Sequence, residues 1–196
     1  MGKVYAEIDT RIQNWIEKQH MFFVATAPLA DAGSVNLSPK GYDTLRVLDE
    51  RTLAFLDYGG SGVETIAHVR ENGRIVIMMC AFAGRPKIYR FHGKGSVVMP
   101  TDEEFEELAV RFDRAELGVR AIIRVDVQRI SDSCGYGVPF YDYRGERPTS
   151  VEHVREHGAD DIRDYLQEKN PQSIDGMPGI TAAEAQAWEP PLDSRN

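Results

Sequence analysis

The sequence predicts a mainly β, α+β fold: a small barrel of about six strands, closed or partly closed, with helices at its margins. Three observations point to it. Apolar runs of strand length recur along the chain, separated by Gly, Pro, Asn and Asp turns. Helical spacing is confined to the start, one central segment, a short stretch after Pro100 and the C-terminal part. Finally, 196 residues with 42% hydrophobic content can form one core without disulfides or metals, yet are too few for two typical domains and a linker.

Taken in order, Ile8, Ile12, Trp15 and Ile16 recur at helical intervals, so residues 7–19 predict an amphipathic helix. Residues 21–27 (MFFVATA) read as a buried strand ended by Pro28, and 34–38 (SVNLS) as a strand of alternating polarity before the Pro39-Lys40-Gly41 break. Residues 44–48 and 52–57 form a hairpin around Asp49-Glu50-Arg51. Tyr58-Gly59-Gly60-Ser61-Gly62 leads into a helix over 63–71, stopped by Asn72-Gly73. Residues 74–81 are an apolar strand, and 88–99 a long one with Gly93 and Gly95 marking a bulge. A helix over 102–113 starts with acids, as the helix macrodipole favours. Residues 121–130 are the last strand, 131–148 a Gly/Tyr/Pro loop, and 150–169 a charged helix before a Pro- and Gly-rich extended tail. This divides the chain into a barrel domain, 1–148, and an acidic helix with tail, 149–196, packed on the same domain or on a partner chain.

The formal net charge is −8 and the sequence pI about 5.2. Such a balance argues against nucleic acid as a partner. The charge is unevenly spread: residues 149–196 hold ten acids and four bases, whereas 84–99 carry Arg85, Lys87, Arg90 and Lys94 with no acid. No apolar stretch is long enough to span a bilayer, and the start shows neither a secretory nor a transit pattern. Glu7 stands where a myristoylation signal needs Ser or Thr. The only cysteines, Cys80 and Cys134, lie far apart, which reads as a cytoplasmic chain with free thiols.

The segment 54–72 is the most informative. A strand enters a Gly-rich turn and then a helix, so Gly60, Ser61 and Gly62 put unhindered amides at a helix N-terminus, with hydroxyls on Ser61 and Thr65. Unpaired N–H groups and the positive end of the macrodipole suit a phosphate. The same pattern also serves as an ordinary strand–turn–helix with Ser as N-cap. In 34–41 (SVNLSPKG), Asn36 and Ser38 share one strand face with Lys40 just beyond, a polar row suited to a flat heterocycle. Arg85 and Lys87 are mobile cations for phosphate. Each of these segments equally reads as a solvated strand face.

Together, the order of helix, strand, V-N-L-S-P-K-G strand, hairpin, F-L-D-Y-G-G-S-G-x-E-T helix, apolar strand and G-R-P-K-I-Y-R-F-H-G-K-G strand resembles the FMN-binding split β-barrel family that includes pyridoxamine 5′-phosphate oxidase. The resemblance covers most of residues 5–145. It implies a homodimer with two flavin sites, each built from both subunits, and an FMN-dependent oxidoreductase using NAD(P)H or oxygen. It places Ser61, Gly62 and Thr65 near the FMN phosphate and Lys40 beside the ring system. Arg85 and Lys87 would reach the phosphate or ribityl chain, from the same chain or the partner. The loop 134–139, with Gly135 and Tyr136, falls where the family closes over the flavin. Pyridoxamine-phosphate oxidases carry an Arg-Leu-His-type segment and a substrate-contacting Trp after the last strand. Here Ser-Cys-Gly-Tyr-Gly-Val-Pro stands instead and Trp188 lies in the tail, which implies another small-molecule substrate. The alternatives on the same barrel are a deazaflavin-dependent reductase and a non-catalytic flavin- or haem-binding protein.

In a flavoprotein the cofactor performs the electron transfer and the protein tunes it. Lys40 is the expected cation beside the reduced ring. Tyr58 and Tyr136 are expected at the cofactor site, and with His92 they are either proton donors to substrate or packing and hydrogen-bonding groups. His153 and His157 match an HxxEH zinc pattern on a helix charged on most faces, and no metal is expected there. Cys80 reads as core, Cys134 as a loop thiol without a neighbouring base, and the acids of 102–107 as a solvated face.

Overall fold

A computed structural model describes residues 2–112 and 118–188. The chain enters through a two-residue strand, β1 (Val4–Tyr5), and helix α1 (Thr10–Ile16), whose N-cap Asp9 accepts from the Ile12 amide at 2.8 Å. Then follow β2 (Phe22–Thr26), β3 (Asn36–Lys40), the hairpin β4 (Leu45–Asp49) and β5 (Thr52–Asp57), α2 (Glu64–Asn72), β6 (Arg74–Cys80) and β7 (Ile88–Val98). The remaining elements are α3 (Phe105–Ala109), β8 (Ala121–Ser133), α4 (Thr149–Lys169) and α5 (Ala182–Gln186).

All strand pairs are antiparallel, in the order β3-β2-β6-β7-β8-β5-β4, with β1 added to β8. This curled sheet with flanking helices is the split barrel the sequence predicts, with eight strands in place of six. The main core lies on its inner side, where Ile12 and Ile16 of α1, Ile66 and Val69 of α2, and Leu166 of α4 meet inward residues of the strands. A second apolar cluster, around Phe105 and Phe112, covers the other side of β5 and β8. That is why β5 is buried at every position: Leu53 and Phe55 face one cluster, Ala54 and Leu56 the other.

The bulge predicted in the long strand falls between His92 and Gly93. A Cβ on Gly93 would lie 2.4 Å from the Asp126 carbonyl oxygen, so no side chain fits there. Elsewhere the elements differ from expectation. The helix predicted over 102–113 is only α3, preceded by turns, and Asp113 lies outside the described residues. β8 continues through Ser133, because Ile88, Tyr89 and Arg90 still pair with Ser133, Asp132 and Ser131. After α4, residues 170–188 fold back through a Gln172–Pro178 bridge into α5, and Trp188 is buried against the main core. Among the described residues no helix is long and apolar enough to cross a membrane.

Candidate functional site

The β5–α2 junction is built by opposite charges at two strand ends. Asp57, last in β5, pairs in register with Ala121, so the preceding Arg120 lies beside it. Arg120 Nε and Nη2 donate to Asp57 Oδ2 at 2.9 and 2.7 Å, and Lys40 Nζ donates to Asp57 Oδ1 at 2.9 Å. The Asp57 side chain is 1% exposed. Burial alone would push its carboxyl up; the Arg120 and Lys40 charges and their hydrogen bonds outweigh that and hold it below the usual carboxylate range. Arg120 Nη1 also donates to the Gly62 carbonyl at 2.8 Å and to Asn170 Oδ1 at 2.6 Å.

Helix α2 begins directly beyond this cluster. Its N-cap is Val63, which offers no side-chain acceptor, while the expected cap Ser61 is exposed and makes no capping bond. Among the described residues, the amides of Ser61, Val63, Glu64 and Thr65 meet no protein acceptor. Gly60 has no positive φ and open space where a Cβ would lie, so neither backbone angle nor packing demands glycine there. What it leaves is room for close approach to the backbone.

A polar row backs these amides. Asn36 Nδ2 donates to Thr26 Oγ1 at 3.1 Å and Thr65 Oγ1 at 3.0 Å, and Ser38 Oγ donates to Asn36 Oδ1 at 3.0 Å. Behind Thr26 lies His68, fully buried, its Nδ1 3.0 Å from Thr26 Oγ1. Burial holds the His68 pKa below the ordinary value, against the pull of Asp175, Glu64 and Glu71, so this histidine is a neutral packing group. Asn36, Ser38, Lys40, Tyr58, Gly62 and Thr65 line a cavity of about 180 Å³ with Asp57, Gly60, Glu64 and Arg120. Six residues expected at a flavin site are thereby brought together from β3, the β5–α2 loop and α2. Asp57, Arg120, Glu64 and Asn170 are additions that sequence reasoning missed.

Arg85, Lys87, Gly135 and Tyr136 are not among them. Arg85 and Lys87 border a separate open groove of about 1640 Å³, flanked by Trp15, Tyr42, Phe82, Tyr89, Tyr141 and Tyr143. Lys40 reaches both spaces. The ribbon 84–99, acid-free in sequence, faces acids across the sheet: Lys87 Nζ donates to Asp132 Oδ2 at 2.7 Å. Burial would raise the Asp132 pKa, yet hydrogen bonds from Lys87, Tyr5 and the Lys3 amide bring it down to about 2. Gly135, in the left-handed region at φ 72°, packs its backbone on that of Lys87, and Tyr136 is exposed. His92 is half-buried, with a pKa lowered by burial and by Arg129 and Arg90. Cys80 is buried and Cys134 exposed. His153 and His157 are exposed on α4, and among the described residues no group of three His, Cys, Asp or Glu is placed to hold a metal.

The family model described as pyridoxamine 5′-phosphate oxidase matches residues 8–134. Among curated relatives, the pyridoxamine 5′-phosphate oxidase family protein ustO of Aspergillus flavus is 32% identical over 197 aligned positions, covering 91% of this chain and 78% of that protein. Two crystal structures of HupZ from Group A Streptococcus superpose with a TM-score of 0.51 each. They are 23% and 20% identical, covering 64% and 69% of this chain and 99% of theirs, and at that identity they show the shared fold.

Proposed function

The chain belongs to the pyridoxamine 5′-phosphate oxidase family, and on that premise we propose that it is an FMN-dependent oxidoreductase acting on a small molecule as a homodimer. The observation that supports this best is the uncapped N-terminus of α2, where Glu64 and Thr65, their amides unmet, line one small cavity with Ser38, and the unmet Ser61 amide lies on the exposed loop just before it. These groups fit a phosphate monoester. Bound flavin would supply the two-electron transfer, with NAD(P)H or oxygen as its partner.

The chain's own residues then bind and orient. The Ser61–Thr65 backbone and the Thr65 hydroxyl, whose oxygen accepts from Asn36 and whose proton is left to give, hold the phosphate end. Asn36 keeps Thr65 and Ser38 in register through its bonds to both. Lys40, fixed by Asp57 and 23% exposed, presents a positive charge where the small cavity opens on the aromatic groove, in reach of a ring system that becomes electron-rich on reduction.

Two features support the homodimer. The edge strand β3 and its approach expose Val35 and Leu37, with Leu29 nearby in sequence also exposed, an apolar strip unusual for a free surface. Phe23 and Ala25 of β2 and Val76 and Met78 of β6 continue that side of the sheet and are only half-buried. In such a dimer Arg85, which has no carboxylate partner among the described residues, would supply charge to the phosphate from the same chain or from the other copy.

The test is the absorbance spectrum of the purified protein, followed by fluorescence-quench titration with FMN and anaerobic mixing with NADH and NADPH. Flavin bands, or saturable quenching by FMN, are the expected result. Absence of any FMN binding overturns the flavin reading. Binding without bleaching by nicotinamides or organic donors replaces the oxidoreductase by a non-catalytic flavin carrier.

A further inference from the structure

We infer that Asn170, in the segment that follows α4, is a positioning residue for the cofactor phosphate: together with Arg120 it turns the amides of the Gly-rich loop outward. The inference rests on the reading of that loop as the phosphate end of a flavin site. Asn170 lies beyond residues 8–134, the part of the chain matched to the family.

Asn170 is fully buried. Its backbone is held at both ends, the N–H donating to the Leu166 carbonyl and the carbonyl accepting from Ile180, each at 2.9 Å. Its side chain leaves its own helix and reaches 110 positions back, Nδ2 donating to the Gly60 carbonyl at 2.9 Å while Oδ1 accepts from Arg120. A helix C-cap needs none of this. The second carbonyl of the loop, Gly62, is taken by the same guanidinium. A side-chain amide can give a hydrogen bond to a carbonyl from one atom while accepting one from a cation on the other.

The consequence follows from peptide planarity. No described peptide is cis, and in a trans peptide the C=O and the next N–H point in opposite directions. Pinning the Gly60 carbonyl to Asn170 therefore turns the Ser61 amide away from the buried cluster. Pinning the Gly62 carbonyl to Arg120 does the same for Val63. The Ser61 amide thereby ends on the outer side of the loop, where Ser61 and Gly62 are exposed, while Val63 itself is buried; neither amide meets a protein acceptor among the described residues. The C-terminal unit thus sets the geometry of a loop that it does not belong to. Without Asn170 the Gly60–Ser61 peptide can rotate, and the phosphate must order it on binding.

The test compares FMN with riboflavin, which has the same ring and no phosphate, by quench titration of the wild type, Asn170→Ala, Asn170→Asp and, as control, Ser173→Ala. Ser173 lies in the same segment and bonds only within it. The Asn170→Ala variant is expected to bind FMN about tenfold more weakly while riboflavin affinity changes by less than about twofold. Asn170→Asp keeps an acceptor for Arg120, and hence the fold, but loses the donor to Gly60; it should show the same selective loss. Ser173→Ala should leave the FMN-to-riboflavin ratio unchanged. Equal losses for both flavins, no loss, or a loss confined to the charged Asp variant overturns the positioning role. A wild-type protein that binds neither flavin, or both equally, instead overturns the phosphate reading, and the inference with it.

Discussion

Replacing Asp57 by Asn should unfold this protein more readily than any surface change, because it leaves two cations facing an amide inside the core. The Asp57 and Arg120 side chains are 1% and 4% exposed, and Lys40 is 23% exposed. In the native chain the carboxylate receives three hydrogen bonds from these cations, two on Oδ2 and one on Oδ1. Removing one partner of a buried pair costs about 3–5 kcal/mol, mostly from the charge left behind. Asn can still accept from Arg120, and Lys40 has access to water, so the low end applies, about 3 kcal/mol. For a chain of this size that corresponds to a melting point lower by about 6–12 °C. Urea denaturation at pH 7 reads it directly as a lower midpoint at unchanged slope. The pH dependence gives an independent check. Since the folded Asp57 pKa is depressed, its stabilisation is complete above about pH 4 and is lost as pH falls through the folded value, so the gap between wild type and variant closes on acidification. A variant within about 1 kcal/mol of wild type at pH 7, or a gap constant between about pH 6 and 3, would refute the structural role given to this cluster.

Three further outcomes follow. His68 is buried neutral with a lowered pKa, so its share of stability is complete above about pH 6.5 and declines as pH falls toward the folded value; His68→Phe should flatten the urea midpoint between about pH 7 and 5, whatever its absolute stability. Trp188 is 1% exposed against the main core, and Trp188→Ala should cost about 3–5 kcal/mol and speed proteolysis of residues 170–188 ahead of the barrel. Gly135 has φ 72°, and a Cβ there would lie 2.8 Å from the Lys87 amide nitrogen; Gly135→Ala should lower stability by about 1–3 kcal/mol, measured by thermal unfolding, and an unchanged melting point would remove the constraint.

What the sequence makes legible here is whatever follows from local periodicity. The hairpin around Asp49-Glu50-Arg51, the stop at Gly73 and the bulge at Gly93 are each written in consecutive residues, and each sits where expected. The polar face of β3 was readable in part: Asn36 and Ser38 alternate with Leu37, but the strand starts two residues later than expected and runs on through Pro39 and Lys40, which pair with Phe23 and Phe22 where a break was expected. The charge cluster was not, because 63 positions separate Asp57 from Arg120 and 50 separate Arg120 from Asn170. A faint signal existed: an acid closes one apolar strand and a base opens another, and antiparallel pairing of those strands makes the two neighbours. Asn170 gave no signal, since its role depends on the return of the chain after α4, itself two helical stretches joined at Gly158, whose φ of 78° and ψ of 172° are not helical. The cationic ribbon failed as a stretch of sequence for a related reason. Cross-strand partners decide which of its charges is free, and they come from β8.

That bookkeeping of charge bears on how an anion would be held. Beside the α2 N-terminus the chain places Lys40 and Arg120, but both are spent on Asp57, and Glu64 lines the same cavity. The site therefore offers direction, through amides and hydroxyls, and almost no net positive charge. Arg85 is the reverse: exposed, bordering the aromatic groove, with no carboxylate paired to it among the described residues. Under the proposed dimer the two half-sites complement each other, one chain supplying orientation and the other supplying charge. Affinity for a phosphate-bearing flavin should then depend on protein concentration across the monomer–dimer range and fall with added salt, whereas riboflavin, without a phosphate charge to neutralise, should be far less sensitive to salt. The Arg85→Gln variant should reproduce the effect of high salt at low salt, and a salt response that persists undiminished in that variant would place the neutralising charge elsewhere.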